Sequence, residues 1–177
     1  KDLVENPQAQ AEYKTRFGKD LGCPDTVSEW AQQAAFFRTE AANTRWGVKF
    51  EKPLYGALGY RSTNFSYRHF PVYMKGLLFD KDMKPRINAP DGIAAIKAFA
   101  ASVEHMPKDI QGWGTPQIYP FWASGQAYSA MSFPSIIGFG ESNPKSEIKG
   151  KQLACIIPGN MINGQLVRRA PRRFFFP

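Results

Sequence analysis

The sequence predicts an α/β lobe with more helix than strand. Apolar residues recur at three and four positions in several windows, the period of an amphipathic helix. Short apolar runs bounded by Pro, Gly and polar residues read instead as buried strands. The 177 residues suit one domain, or one large lobe of something bigger. A chain of that length buries about 70% of its unfolded surface, so it needs no disulfide scaffold.

A polar helical pattern runs from Ala9 to Phe17. Pro24-Asp25-Thr26 opens the first strong helix. Thr26 stands as N-cap with Glu29 three residues later, the capping-box spacing. Val27, Trp30, Ala34, Phe37 and Ala41 then form one apolar face. Leu54 to Tyr60, flanked by Pro53 and polar residues, reads as a buried strand. A second helix is expected over Tyr67–Lys75, with Pro71 in its first turn. Phe79 to Pro85 is a charged turn, after which Asp91 is expected to cap an amphipathic helix. Ile93, Ile96, Phe99, Ala100 and Val103 share one face of it. Thr115-Pro116 opens a short helix over Gln117–Ser124, with Ile118, Phe121 and Trp122 inward and Gly125 as its stop. Ala127–Met131 reads as a strand and Ser135–Gly140 as a turn or short helix. Gln152–Ile157 reads as a strand ended by Pro158-Gly159. The chain shows no internal repeat.

Composition excludes several classes. With 43% hydrophobic residues, 15 Gly and 14 Pro, the chain is neither disordered nor collagen-like. No apolar run approaches the roughly 20 residues that span a bilayer; Met131–Phe139, among the longest, contains two Ser, a Pro and a Gly. Half of the net charge of +8 comes from Arg168, Arg169, Arg172 and Arg173. The remaining charge is spread along the chain and forms no basic face with interleaved aromatics, so nucleic acid is not an expected partner. Cys23 and Cys155 fit no metal spacing and no CxxC pattern. A single bridge in an oxidising compartment is open to them, but their separation in the chain gives it no support, and two unpaired buried thiols are the expectation. The start at Lys1, without Met or an apolar leader, is read as a signal peptide removed or not included. The Arg- and Phe-rich stretch 172–177 is read as an irregular tail outside the fold, left by a truncation or a frameshift.

The order of these pieces resembles the extracellular solute-binding proteins of bacterial sugar importers, the group that includes maltose-binding protein. Lys1-Asp2-Leu3-Val4 to Leu21 is similar to the family's "KDLF" stretch and following helix. Pro24-Asp25-Thr26-Val27-Ser28-Glu29-Trp30 resembles its "P-K-T-W-E-E" helix start. Leu54–Arg61 resembles the short strand leading to the ligand cleft, and Gly76–Asp80 its "GG-x-x-FD" turn. Phe121 to Met131 resembles "F-x-x-G-x-A-A-M", the most specific piece, and Gly150 to Gly159 the strand ending in "PG". The matches cover nearly all of residues 1–168. The family is about twice as long and two-lobed, so the resemblance implies a fragment, with a periplasmic-binding-protein type II lobe, helix-rich and with a short mixed sheet. Residues 1–158 would be mostly the second lobe, and 159–171 a crossover toward the other. The implied function is capture of a sugar or sugar-like solute in an interlobe cleft and its delivery to the permease subunits of an ABC importer. The implied location is the periplasm or the outer face of the membrane, and the expected state a monomer. A stand-alone carbohydrate-binding module without a transport role is the alternative.

Sugars are held by aromatic faces stacked on the ring and by planar polar groups on the hydroxyls. Gly59 to Phe70 is dense in both and lies past a strand end, where open α/β folds bind ligands. The resemblance favours the cleft for Tyr67 and Arg61 over a polar surface loop. Tyr67 would then stack on the ligand, with Arg61 and Asn64 hydrogen-bonding it. Phe133, after the Ala127–Met131 strand, stands where the family places a stacking aromatic, and is read equally as a core residue beside a turn. Trp113, between Gly112 and Gly114, is either a wall of the cleft or a loop anchor. Trp30 and Trp122 read as core. The solute itself stays open among a monosaccharide, an oligosaccharide, a polyol and a sugar phosphate.

An enzyme finds little support. His69 and His105 are the only histidines, and neither has the neighbours of a triad. Asp80-Lys81-Asp82 begins like a calcium loop, but Pro85 stands where Gly is needed and Asp91 where Glu is. Gly138-Phe139-Gly140 lacks a third glycine and a preceding strand, and there is no P-loop. Neither metal nor cofactor is expected.

Overall fold

The computed structural model describes residues 1–62 and 69–168. After a single turn, α1 (Asp2–Glu5), the chain enters α2 (Pro7–Phe17). Its start is fixed locally: the Asn6 side chain accepts from the Gln8 and Ala9 amides and Pro7 takes the first turn. Its end is set by Gly18 in the left-handed region, at φ 71°. Next comes α3 (Val27–Phe37), which has the full capping box: Thr26 accepts from the Glu29 amide, and Glu29 reaches back to the Asp25 and Thr26 amides.

Two faces of α3 are buried. Val27, Trp30 and Ala34 enter the main core with Leu58, Tyr60, Met74, Ile118 and Met131. Phe36 and Phe37 enter a second cluster with Ala9, Tyr13, Leu21, Trp46 and Leu54. The helix is therefore the shared wall of two cores. Ala41, expected to extend its face, lies past the helix end in an exposed turn.

The β structure is short and mixed. The first pair, β1 (Asn43–Arg45) and β2 (Val48–Phe50), is antiparallel. Its two-residue turn, Trp46-Gly47, has positive φ at both positions, 53° and 72°, the twist a tight hairpin requires. The sequence reading had placed no strand there. The Trp46 indole donates to Glu12 at 2.7 Å, and Arg45 stacks over its ring at 4.0 Å. β3 (Leu58–Gly59) and β4 (Ala130–Met131) are parallel, and a bridge from Tyr55 to Ala127 extends the pair backward. Both had been expected as strands from Leu54 and from Ala127. The last pair, β5 (Asn160–Ile162) and β6 (Gln165–Val167), turns at Asn163-Gly164.

Of the helix expected over Tyr67–Lys75, Tyr67 and Arg68 lie outside the described residues and His69 is helical. Phe70–Tyr73 forms a 3-10 turn with Pro71 near its start, so the helix does not run on to Lys75. The next long helix, α4 (Pro90–Ala101), departs from expectation twice. Pro90 rather than Asp91 opens it, Ala89 is its N-cap, and Asp91 pairs with Arg86 at 3.3 Å. Its inward face carries Gly92, Ala95, Phe99 and Ser102, while Ile93 and Ile96 are 45% and 44% exposed. The reason lies at Gly92, where a Cβ would stand 2.4 Å from the backbone oxygens of Arg86 and Ile87. Only a glycine face can pack that closely. Two 3-10 turns (Ser102–His105 and Ile110–Gly112) lead to α5 (Thr115–Ala123), stopped by Gly125 at φ 71°. After β4, α6 (Ser135–Ser142) packs against α5.

Two further expectations fail. Residues 152–157 form no strand. The ladder of β4 is made with β3, and the first pairing after this segment is the Thr26 to Gly159 bridge. Cys23 and Cys155 are not free thiols: they form a disulfide, with Cα atoms 5.6 Å apart, and both residues are exposed. A chain separation of 132 residues hid this contact. Among the described residues no helix is long and apolar enough to cross a membrane.

Candidate functional site

The carboxyl ends of the parallel strands β3 and β4 deliver Tyr60 and Arg61 from one side and Ser132 and Phe133 from the other. Tyr60 is fully buried, and its hydroxyl lies 3.0 Å from Thr115 Oγ1. Burial holds its pKa above the ordinary tyrosine value, so it stays a neutral hydrogen-bonding group. The Phe133 ring stands 5.2 Å from the Tyr60 ring and 6.2 Å from His69, and is itself half-buried. Three rings therefore meet at the strand ends.

A cleft of about 340 Å³ opens beside them. Trp30, Trp122, Tyr128, Met131, Phe133 and Ile136 form its apolar wall, and the opposite wall is residues 151–158. The polar groups of its floor are largely bonded to the protein. The Trp30 indole donates to Ser129 Oγ at 3.0 Å, and Ser129 Oγ donates to Gly56 O at 2.8 Å. The Tyr128 hydroxyl donates to Gln33 at 2.9 Å, its ring stacks on Phe37 at 3.8 Å, and burial raises its pKa. The Trp122 indole donates to Gln152 at 2.7 Å, which fixes one end of the opposite wall. A space of this size, apolar and aromatic with few free polar groups, suits a small ring-shaped ligand.

Of the described residues expected to bind, Arg61, Trp113 and Phe133, only Phe133 lines this cleft. Arg61 turns into the lobe. Its guanidinium lies 4.0 Å over the Phe99 ring and donates to Tyr60 O, to the Tyr73 hydroxyl at 3.1 Å and to Ser102 Oγ. Burial pulls its pKa below the ordinary arginine value, although an arginine in a protein stays charged. Trp113 packs against Phe121 with ring centroids 4.9 Å apart, at the edge of the main core, and does not itself line this cleft. Asn64 and Tyr67 lie outside the described residues. Trp30 and Trp122 had been read as core. Both do pack there, yet both also face the cleft. The signal that could have found them is the indole N–H, which in a buried tryptophan needs a partner and so marks a polar edge. Among the described residues no cluster of three or more His, Cys, Asp or Glu could hold a metal ion.

The fold is that of a periplasmic-binding-protein-like α/β lobe, helix-rich with short sheets. It superimposes on the maltose-bound MalE3 of T. maritima with a TM-score of 0.63 and 17% sequence identity, over 91% of this chain and 39% of that one. The chain thus spans well under half the length of the protein it matches. No protein-family model matches it, and no curated protein gives a significant sequence match.

Proposed function

We propose that this lobe captures a sugar or sugar-like solute, as part of the substrate-binding component of an ABC importer acting in the periplasm or at the outer membrane face. The observation that carries the proposal is the ring of Phe133, set at the end of β4 beside an aromatic cleft, in a fold shared with a protein solved with maltose bound. In this reading residues 1–158 are mostly one lobe of a two-lobed protein, and 159–171 lead toward the other. Ligand would bind between the lobes, its contacts with both would favour a closed state, and that state would engage the permease subunits.

Phe133 is assigned the stacking role, with Asn64 and Tyr67 supplying polar and aromatic contacts. Arg61 is assigned a share in the hydrogen bonding through whatever its inward contacts leave free, and Trp113 the outer edge of the site. The binding reading, rather than turnover, agrees with the nature of the structural neighbour.

The test is a titration of the purified chain with maltose, followed by ligand-observed NMR, beside a panel of monosaccharides, polyols and sugar phosphates. Saturable binding of one of them is expected, and Phe133→Ala should weaken it about 5- to 10-fold, the worth of one stacked ring at roughly 1 kcal/mol. Saturable binding by no member of the panel would refute the proposal. Equal affinity in the Phe133→Ala protein would remove Phe133 from the site.

A further inference from the structure

The wall formed by residues 153–157 is attached unlike the rest of the lobe. At one end Gln152 is held by the Trp122 indole and donates to Ile137 O at 3.1 Å. At the other, Gly159 donates to Asp25 O and accepts from the Val27 amide, both at 2.8 Å. Among the described residues, no hydrogen bond reaches 153–158. Leu153 and Ile156 are exposed, and only Ile157 packs against the main core. Between its two ends this strap is therefore held by one side chain and one covalent bond, Cys155 to Cys23.

The other end of that bond is firmly set. Gln33, buried in α3, donates to Gly22 O at 2.9 Å on one side of Cys23. Glu29 binds the Asp25 amide at 2.8 Å on the other. A loose strap is thus pinned to a rigid post, and Gly22, Pro24, Cys155 and the strap all line the cleft beside Phe133. Both cysteines are open to solvent, so a small thiol can reach the bond.

We propose that the Cys23–Cys155 disulfide is a redox latch on this cleft, closing one wall when oxidised and freeing the 153–157 strap when reduced. The regulatory part rests on the sugar-binding reading above. The chemistry is a two-electron, two-proton exchange with a dithiol. One thiolate of the dithiol attacks a cystine sulfur, the Cys23–Cys155 bond breaks, and a mixed disulfide forms. The second thiol of the reagent displaces it, leaving the reagent as a cyclic disulfide and the protein with two protonated thiols. An oxidising compartment keeps the latch closed.

Trypsin reads the latch directly. Lys149 and Lys151 lie at the root of the strap, while Lys97 lies within α4 and reports global opening. With dithiothreitol, and separately in Cys155→Ser and Cys23→Ser proteins, cleavage after Lys149 and Lys151 should accelerate at least 10-fold relative to cleavage after Lys97, followed by mass spectrometry. A change of both rates together would mean general destabilisation and would overturn the latch, as would an unchanged ratio. In parallel, maltose affinity should fall about 10-fold on reduction. A raised cleavage ratio with unchanged maltose affinity would overturn the coupling to binding. If maltose binds neither form, the sugar reading fails with it, while the cleavage ratio still decides whether the latch exists.

Discussion

Replacing Gly56 with Ala tests the closest approach in the lobe, because the new methyl would meet main chain rather than a side chain. A Cβ built at Gly56 lies 1.8 Å from the Ala34 carbonyl oxygen, 2.4 Å from its carbon and 2.7 Å from its Cα. Ordinary contact requires the strand segment and α3 to separate by more than an ångström. That movement also strains the Ser129 Oγ bond to Gly56 O and, through it, the Trp30 indole. Overpacking usually costs about 1–3 kcal/mol, and a clash with backbone belongs at the top of that range. At roughly 2–4 °C per kcal/mol for a chain of this size, Tm should fall by about 6–12 °C, read by far-UV circular dichroism. Ala34→Gly should not rescue the variant, since the obstructing atoms are not in the Ala34 side chain. Gly138, exposed within α6 with nothing near its Cβ position, is the control. Gly138→Ala should stabilise by about 0.5–1 kcal/mol. A Gly56→Ala Tm within about 2 °C of wild type would refute the reasoning.

Tyr128→Phe keeps the stack on Phe37 but strips Gln33 Oε1 of its donor. It should cost about 1–3 kcal/mol in denaturant titrations, and no measurable loss would mean that the hydroxyl is not what joins the two cores. Thr26→Ala removes the acceptor for the Glu29 amide and should cost about 1 kcal/mol, a Tm loss of roughly 2–4 °C. His105 is held below the ordinary histidine pKa by burial first, then by Arg38, against the opposing pull of Glu104. The unfolded chain therefore binds the proton more readily, and stability should decline as pH falls below about 6.5. His105→Asn should flatten that part of the Tm against pH curve, and an unaltered curve would assign the decline to other groups.

What could be read from the sequence was what neighbouring residues decide. The capping box at Thr26 and Glu29 needs four residues, and the structure has it complete. The strands from Leu54 and Ala127 were visible because each is a short, mostly apolar run bounded by polar or turn residues. Residues 152–157 have the same apolar look, yet a strand also needs a free edge to pair with, and that requirement is written elsewhere in the chain. In α4 the sequence offers two apolar stripes. Which one turns inward is decided by a backbone approach at Gly92, invisible to periodicity. The β5–β6 turn is a different lesson: Asn163-Gly164 is a strong hairpin signal that lay in plain view. At the candidate site Phe133 was singled out through the family resemblance, with a core role weighed equally, and it lies both against the main core and on the cleft. The cleft wall at 153–157 was not, because a contact between Cys23 and Cys155 has no local trace.

Arg61 shows why residue type alone does not fix a role at such a site. A guanidinium beyond a strand end reads as a ligand donor, and from chain position it could serve as one. Its surroundings engage the guanidinium inside the lobe first. It stacks on Phe99, which belongs to α4, reaches Ser102 in the next turn, and meets Tyr73 from the Phe70–Tyr73 3-10 turn. One side chain thereby ties the end of β3 to the two segments that follow it in space. That tie holds Tyr60, and Tyr60 in turn backs the ring of Phe133. Phe133 has a second support through Ser132 and Met131 in β4, whose neighbour Tyr128 reaches across α3 to the other core. The ring of Phe133 is thus supported from both strands, while residues 153–157 are held between their ends by Ile157 and the disulfide. On the binding and latch proposals above, a supported ring opposite a releasable wall would grip a ring-shaped solute and let it go, and reduction would separate the two halves of that grip.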